Sequence, residues 1–134
     1  MWIYAQRTGN LFRQTNGSTK LLTKGYSGSG VGENNPEMQF VHDQGPIPQG
    51  RYRIGHPEQF NHMQNCLPLS PDAGTKMHGR GGFFIHDGVF HGPHGDTSHG
   101  SICVLPAARS VIWDSGDHEL EVVQDDPIQA RVRT

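Results

Sequence analysis

Glycine and proline interrupt this chain so often that no stretch is left for a long helix. The 134 residues include 18 glycines and 9 prolines, and both residue types mark turns. The runs between them are short, and several are rich in the aromatic and β-branched residues that favour strands. We therefore predict an all-β domain with one short helix and long Gly-rich loops. The predicted strands are 2–6, 11–14, 20–23, 51–54, 66–69, 83–86, 101–105 and 120–123.

Individual glycines and prolines refine this prediction. Pro68 places the strand 66–69 at a sheet edge, because proline cannot donate a ladder hydrogen bond. Pro106 suits the first turn of a helix over 107–113. Segment 26–36 is too rich in glycine to pack as an element and is predicted to be a loop. The chain length suits one domain, which we assign to residues 1–124, followed by a polar tail over 125–134.

Charge and hydropathy exclude two kinds of partner. The net charge is −2 with neutral histidines, and no basic block gives the footprint of a nucleic-acid-binding protein. No apolar run reaches the roughly 18 residues that suggest a membrane span. The N-terminal sequence MWIYAQRTGN lacks the basic and apolar regions of a Sec signal peptide. Action outside the cytoplasm would then require another delivery route.

The cysteines and histidines leave a metal site as one alternative. Cys66 and Cys103 do not indicate a disulfide framework in a chain of this length. Neutral imidazole binds zinc, and a metal-dependent hydrolase is therefore one functional hypothesis. Four histidines lie in one part of the chain: His78, His91, His94 and His99. Their spacings match no zinc motif, which favours surface loop histidines, and no metal or other cofactor is predicted.

The segment 83–105 carries the clearest catalytic chemistry. His86 ends one predicted strand, and the sequence SHGSIC at 98–103 opens the next. If the two strands are neighbours, His86 faces this turn as a base beside a nucleophile. Gly100 would allow a tight turn that directs backbone N–H groups toward a developing oxyanion.

Here the sequence resembles a known family. Residues 98–102, Ser-His-Gly-Ser-Ile, resemble the Ser-His-Gly-Cys-Ile signature of the L,D-transpeptidases, with serine in place of the catalytic cysteine. Residues 83–86 resemble the strand that carries the catalytic histidine of that family. Segments 26–36 and 45–52, with Gly79-Arg80, resemble a subgroup of L,D-transpeptidase-like antibacterial effectors of type VI secretion. The resemblance implies a β-sandwich of the L,D-transpeptidase type.

The resemblance also implies a reaction on the tetrapeptide stems of peptidoglycan. In the family, a thiolate attacks a stem carbonyl at an L-configured centre and expels D-Ala, and water or an amine resolves the thioester. In this chain His86 would be the base and position 101 the nucleophile. Backbone N–H groups near Gly100 would form the oxyanion hole, while Ser98 and His99 would shape the loop.

Three further residues are candidates for substrate binding. Arg80 can hold a substrate carboxylate by a bidentate contact, although an ordinary surface role fits it equally well. Tyr26 adjoins a Gly-rich loop that suits a lid or cleft wall, and Asp87 follows the candidate base. The resemblance further implies an immunity protein as partner and action in the periplasm of a target cell.

Serine at position 101 leaves three interpretations open, because a hydroxyl is far less ionised than a thiol near neutral pH. The serine replaces a natural cysteine and silences a toxic enzyme, or it is natural in a weak or inactive protein. In the third interpretation Cys103 has become the nucleophile, since residues 101 and 103 of a strand share a face. A non-catalytic module that binds cell-wall peptides or an immunity protein is the main functional alternative.

Overall fold

In a computed structural model, which describes residues 1–127, the chain forms ten strands and one α-helix. The elements are β1 (Trp2–Ala5), β2 (Asn10–Thr15), β3 (Ser18–Lys24), β4 (Tyr26–Ser27), β5 (Gly50–Ile54), β6 (Glu58–Phe60), β7 (Met63–Pro71), β8 (Phe84–His86), β9 (Ile102–Cys103), α1 (Pro106–Asp114) and β10 (Glu119–Val123). The predicted all-β class with one short helix is confirmed.

The strands form one mixed sheet in the order β3-β2-β1-β10-β5-β7-β8-β9-β4, and β6 pairs with β7. Two pairings are parallel, β1 with β10 and β8 with β9. The second of these places His86 beside Cys103 in register. The two strands whose adjacency was the condition for a base beside a nucleophile are therefore neighbours.

A single large core joins the two halves of the sheet. β7 connects them, because one part of it pairs with β5 and another with β8. Side chains from both halves and from α1 form one buried cluster: Trp2, Tyr4, Leu11, Ile47, Tyr52, Ile54, Leu67, Leu69, Phe83, Ile85, Ile102, Val104, Ala108, Ile112, Leu120 and Val122. This shared core agrees with the predicted sandwich packing.

Helix α1 supports the strands beneath the candidate site. It begins at Pro106, whose missing N–H is tolerated in the first helical turn. The side chains of Ala108 and Ile112 are buried in the core, and the helix contacts β7 and β8. The helix therefore packs against the strand that ends at His86.

The prediction that Pro68 marks a sheet edge is wrong. β7 lies between β5 and β8, and Pro68 is in register with Phe84 of β8. The ladder with β5 begins at the next residue, Leu69. Proline is accommodated in this inner strand because the strand changes its pairing partner at that position.

Short strands account for the other differences from the sequence prediction. Tyr26 and Ser27 were predicted to lie in a loop but form β4, which pairs with β9 in an antiparallel ladder. The sequence analysis did not predict β6, and the strand predicted over 101–105 is limited to Ile102–Cys103. Two-residue ladders of this kind depend on long-range pairing, which local propensity does not reveal.

The end of the described chain is tied to the first turn of the protein. The Asp125 carboxylate accepts a hydrogen bond from Arg7, and the Asp126 carboxylate accepts bonds from Thr8 and Asn10. The domain boundary at residue 124 stays a prediction, and residues 128–134 of the predicted tail lie outside the described residues. No helix within residues 1–127 is long and apolar enough to cross a membrane.

Candidate active site

A cleft of about 310 Å³ opens where β8, β9 and the β6–β7 hairpin meet. Its walls combine polar and apolar side chains: Asp43, Phe60, Asn61, Met63, Gly81, Gly82, Phe83, His86, Asp96, Thr97, His99 and Ser101. Three of the predicted catalytic residues, His86, His99 and Ser101, therefore lie on one concave surface. Such a cleft with a few convergent polar groups is the usual form of a small-molecule or peptide site.

His86 has the properties of a general base. It ends β8, and only 4% of its surface is exposed. Its Nδ1 lies 2.5 Å from the carbonyl oxygen of Asp87, so in the neutral ring Nδ1 carries the proton and Nε2 keeps a free lone pair. Burial lowers the pKa of His86, and the positive charge of Arg109 lowers it further, against opposing contributions from Asp87. The ring is therefore held neutral and able to accept a proton.

Ser101 lies at the start of β9, with 8% of its surface exposed in the cleft. Its Oγ accepts a hydrogen bond of 3.0 Å from the backbone amide of Phe84. This bond fixes the oxygen on the β8 side of the cleft and leaves the hydroxyl hydrogen free to be donated. Position 101 is thus directed toward the strand that carries His86.

Two buried serines set the shape of the turn before Ser101. Ser98 Oγ donates to the carbonyl of Ser101 and accepts from the amides of Gly28 and Gly100. Ser27 Oγ donates to the carbonyl of Gly100 at 2.7 Å. Because the Gly100 amide is bonded to Ser98, the amide of residue 101 becomes the better candidate for an oxyanion hole. Ser27 was not singled out from the sequence as a site residue.

Gly100 is required by the geometry of the turn. Its φ is +123°, a region that residues with a side chain rarely adopt. An added Cβ would lie 2.4 Å from Cε1 of Phe83 and 2.6 Å from Nη2 of Arg80. The Ser-His-Gly motif therefore encodes a tight turn against buried neighbours.

Cys103 is close to His86 but has no path to a substrate. Its Sγ is 3.8 Å from His86 Nδ1, which already donates to the Asp87 carbonyl. Cys103 is fully buried, and burial raises its thiol pKa to about 12. Gly88 covers it so closely that an added Cβ would lie 2.7 Å from the Cys103 Cβ. The geometry favours a packing role for this thiol.

The burial of both natural thiols predicts a labelling result. Ser101→Cys should add one fast-reacting thiol to the native protein, while Cys66 and Cys103 react only after unfolding. Position 101 lines the cleft, whereas burial raises the thiol pKa of both natural cysteines. Reaction with an aromatic disulfide reagent, with and without denaturant, measures this. A fast thiol in the parent protein that Cys103→Ala abolishes would contradict it.

Arg80 does not have the predicted substrate-binding position. Only 6% of its surface is exposed, and it is not part of the cleft wall. Its guanidinium donates to four backbone carbonyls, those of Gln39, Gly45, Pro46 and His99. The prediction of a substrate carboxylate contact is wrong because these carbonyls already occupy its donors. Arg80 instead fixes the 39–46 loop against the catalytic turn.

Tyr26 and Asp87 also act within the protein rather than in the cleft wall. The Tyr26 hydroxyl bonds to Thr97 Oγ1 at 2.7 Å and accepts the Val89 amide at 2.8 Å. Its ring is buried and stacks on His94 at a centroid distance of 3.7 Å. Asp87 orients His86 through its backbone carbonyl, and its carboxylate accepts the Gly88 amide. Both residues thus hold the 87–97 loop beside the site.

The loop histidines are separated from one another. His99 lines the cleft, and Nδ1 of His94 pairs with Glu33 at 2.8 Å. His78 and His91 are exposed. Within residues 1–127, no group of three or more His, Cys, Asp or Glu side chains could hold a metal ion.

The β6–β7 hairpin supplies cleft residues that the sequence analysis missed. Phe60, Asn61 and Met63 line the cleft, and the Phe60 ring stacks on Phe84 at 4.4 Å. Asn61 has a φ of +55°, which asparagine tolerates in turns. The Asn61-His62 pair between two strand-like runs was the signal for this hairpin.

Comparison with known proteins assigns the family. The sequence model of the Tlde1 domain matches residues 22–116. The chain belongs to the Tlde1-domain family. This family comprises L,D-transpeptidase effectors of type VI secretion, the subgroup that segments 26–36 and 45–52 with Gly79-Arg80 resemble. No curated protein sequence matches the chain.

A solved L,D-transpeptidase structure shares the fold of this Tlde1 domain. The structure of the Ldtfm–avibactam carbamoyl enzyme aligns with a TM-score of 0.56 and 14% sequence identity, over 93% of this chain and 49% of that chain. The Tlde1 domain thus spans about half the length of that structure. The sequence match thus gives the family, and the structural match shows the L,D-transpeptidase fold.

Proposed function

We propose that this Tlde1 domain acts on peptidoglycan tetrapeptide stems as an L,D-transpeptidase and L,D-carboxypeptidase, with residue 101 in the nucleophile position. The observation that carries the proposal is the shared cleft of Ser101 and a neutral His86 on adjacent parallel strands. A nucleophile next to a base that is itself oriented by a third group is the general arrangement for covalent catalysis. Here the Asp87 carbonyl is the orienting group.

With cysteine at position 101, the reaction follows from these positions. His86 Nε2 takes the thiol proton, and the thiolate attacks the carbonyl carbon that precedes the terminal D-Ala. The amide of residue 101 stabilises the oxyanion, the C–N bond breaks, and His86 returns the proton to the leaving amine. Water or the amine of a D-amino acid, deprotonated by His86, then releases the acyl group from the thioester.

The cleft wall suits a stem that contains a diamino acid. Asp43 and Asp96 bring two carboxylates to the cleft, and among residues 1–127 no lysine or arginine lines it. Carboxylates stabilise an ammonium group at close range, such as the free amine of meso-diaminopimelate. Phe60, Met63 and Phe83 add apolar surface for the stem backbone and methyl groups.

Serine at position 101 also supports a second candidate function, a non-catalytic module that binds cell-wall peptides. A serine hydroxyl needs stronger activation than a thiol, and Ser101 Oγ is held by the Phe84 amide. Cys103 is a thiol near His86, but it is buried and its pKa is raised. Neither group is an activated nucleophile in the chain as it stands.

Mass spectrometry of tetrapeptide muropeptides separates the two candidates. The protein and its Ser101→Cys variant are incubated with the substrate, with and without a D-amino acid. We expect only the variant to remove or exchange the terminal D-Ala. Ser101→Ala serves as the matched control, because it removes the hydroxyl without adding a nucleophile.

Two other outcomes would change the conclusion. Activity in the unchanged protein that Cys103→Ala abolishes would move the nucleophile to Cys103. Binding of muropeptides without turnover, even with cysteine at position 101, would establish the binding module and reject the catalytic proposal.

The family membership extends the proposal to the biological role. An antibacterial effector of type VI secretion would act in the periplasm of a target cell, where tetrapeptide stems are exposed. The producing cell would then need an immunity protein that covers the cleft. Co-expression that relieves toxicity of the Ser101→Cys variant would identify this partner.

A further inference from the structure

Helix α1 places a buried cation behind the candidate site. Arg109 is only 4% exposed, and arginine keeps its charge throughout the working range of proteins. Among the described residues it forms no ion pair, and its Nε has no hydrogen-bond partner. Buried charges are normally paired, because burial without a partner costs free energy. The position of this unpaired arginine therefore requires an explanation.

The contacts that Arg109 does make are directed at the wall of the cleft. Its Nη1 donates to the carbonyl oxygens of Gln64 at 2.9 Å and Asn65 at 3.3 Å. These residues belong to β7, immediately after the hairpin tip whose Asn61 and Met63 line the cleft. At this point β6 and β7 pair only with each other, through Glu58–Cys66 and Phe60–Met63. Arg109 thus connects the hairpin to the helix.

The charge of Arg109 also acts on the base. His86 lies on β8, which α1 contacts. Burial is the main cause of the lowered pKa of His86, and the Arg109 cation lowers it further. Asp87 has the opposite effect and raises the pKa of His86. A fixed cation behind the ring disfavours a second positive charge on the imidazole. This effect keeps Nε2 unprotonated and available as a base.

We propose that Arg109 is a positioning residue for the reaction at position 101: its hydrogen bonds to the Gln64 and Asn65 carbonyls fix the β6–β7 hairpin as the wall of the cleft, and its position on α1 places a fixed positive charge behind β8, the strand that ends at His86. The inference rests on the proposed function for its catalytic meaning. It assigns two separable effects to one side chain, one through hydrogen bonds to backbone carbonyls and one through charge. An apolar side chain of similar length would fill the same space and provide neither.

The test measures both effects without substrate turnover, so it does not depend on the proposed activity. The His86 titration is followed by NMR of the imidazole resonances, which His86→Gln assigns by their loss. Hydrogen exchange of amides in residues 58–66 reports the hairpin. Three variants separate the role of the charge from the role of the hydrogen bonds. Arg109→Met removes the charge and the N–H donors together. Arg109→Lys keeps the positive charge, and Arg109→Gln keeps an N–H donor without the charge. Arg53→Met makes the same chemical change at an exposed arginine.

In Arg109→Met we expect a higher His86 pKa than in the parent and roughly tenfold faster hairpin exchange, from the loss of charge-assisted hydrogen bonds. Arg109→Lys should restore the low His86 pKa, and Arg109→Gln should raise it while protecting the hairpin better than methionine does. If Arg109→Met does not fold, the glutamine and lysine variants still give both readouts. Parent-like His86 titration in Arg109→Gln, or parent-like hairpin exchange in Arg109→Met, would overturn the inference.

Discussion

In the Ser101→Cys background, replacing His86 with glutamine is expected to slow release of the terminal D-Ala by roughly 10²–10⁴-fold, the usual contribution of a general acid–base residue. The physical reason is the neutral ring, whose Nδ1 is fixed by the Asp87 carbonyl and whose Nε2 is free to move a proton. Glutamine fills similar space but cannot accept the thiol proton. The time course of muropeptide conversion, measured by mass spectrometry, gives the ratio of rates.

His99 provides the matched control for this experiment. It lines the same cleft but is exposed and is not adjacent to the β8–β9 ladder. His99→Gln should therefore cause a much smaller loss of rate than His86→Gln. Equal losses in the two variants would show that His86 is not the base that the geometry indicates.

Arg80→Met should lower the free energy of unfolding by about 2–6 kcal/mol, because two buried carbonyls would each lose a donor at a cost of about 1–3 kcal/mol. The guanidinium is buried and donates to four backbone carbonyls from three parts of the chain. Methionine cannot replace these donors, so the carbonyls of Gly45 and Pro46 would be left buried without them. Urea denaturation, followed by tryptophan fluorescence, measures the change.

Two substitutions calibrate the Arg80 result. Arg53→Met on the exposed side of β5 should change the free energy of unfolding by no more than about 0.5 kcal/mol. Arg80→Lys should fall between the two, because an ammonium keeps the charge but not the planar fork. A loss as small for Arg80→Met as for Arg53→Met would show that the four bonds contribute nothing net.

The local elements were predictable because their signals lie within a few residues. Pro106 and the residues after it predicted the helix, and the strands predicted over 11–14 and 20–23 lie within β2 and β3. The strand 83–86 was found from its apolar run, within one residue of the observed β8. Strand β4, which exists only through its pairing with the distant β9, carried no comparable local pattern.

Only part of the candidate site could be predicted from the sequence, and this limit has a physical cause. His86 and Ser101 were identified from sequence motifs whose residue types have a direct chemical meaning. The adjacency of their strands was only a condition of that interpretation, and the structure supplies it. Arg80 was assigned to the substrate because an arginine near a catalytic segment can bind a carboxylate. Only the packed structure shows its donors occupied by carbonyls 34–41 residues away in sequence.

By itself, the sequence determined the short-stranded all-β class, the family, and the pairing of a histidine with a Ser-His-Gly turn. Those properties depend on residue type, spacing and local propensity. The tertiary structure alone decided which nitrogen of His86 is free, that Cys103 is sealed beneath Gly88, and that the β6–β7 hairpin forms a wall of the cleft. The reason is that burial, hydrogen-bond direction and electrostatic environment arise only when residues distant in sequence are packed together.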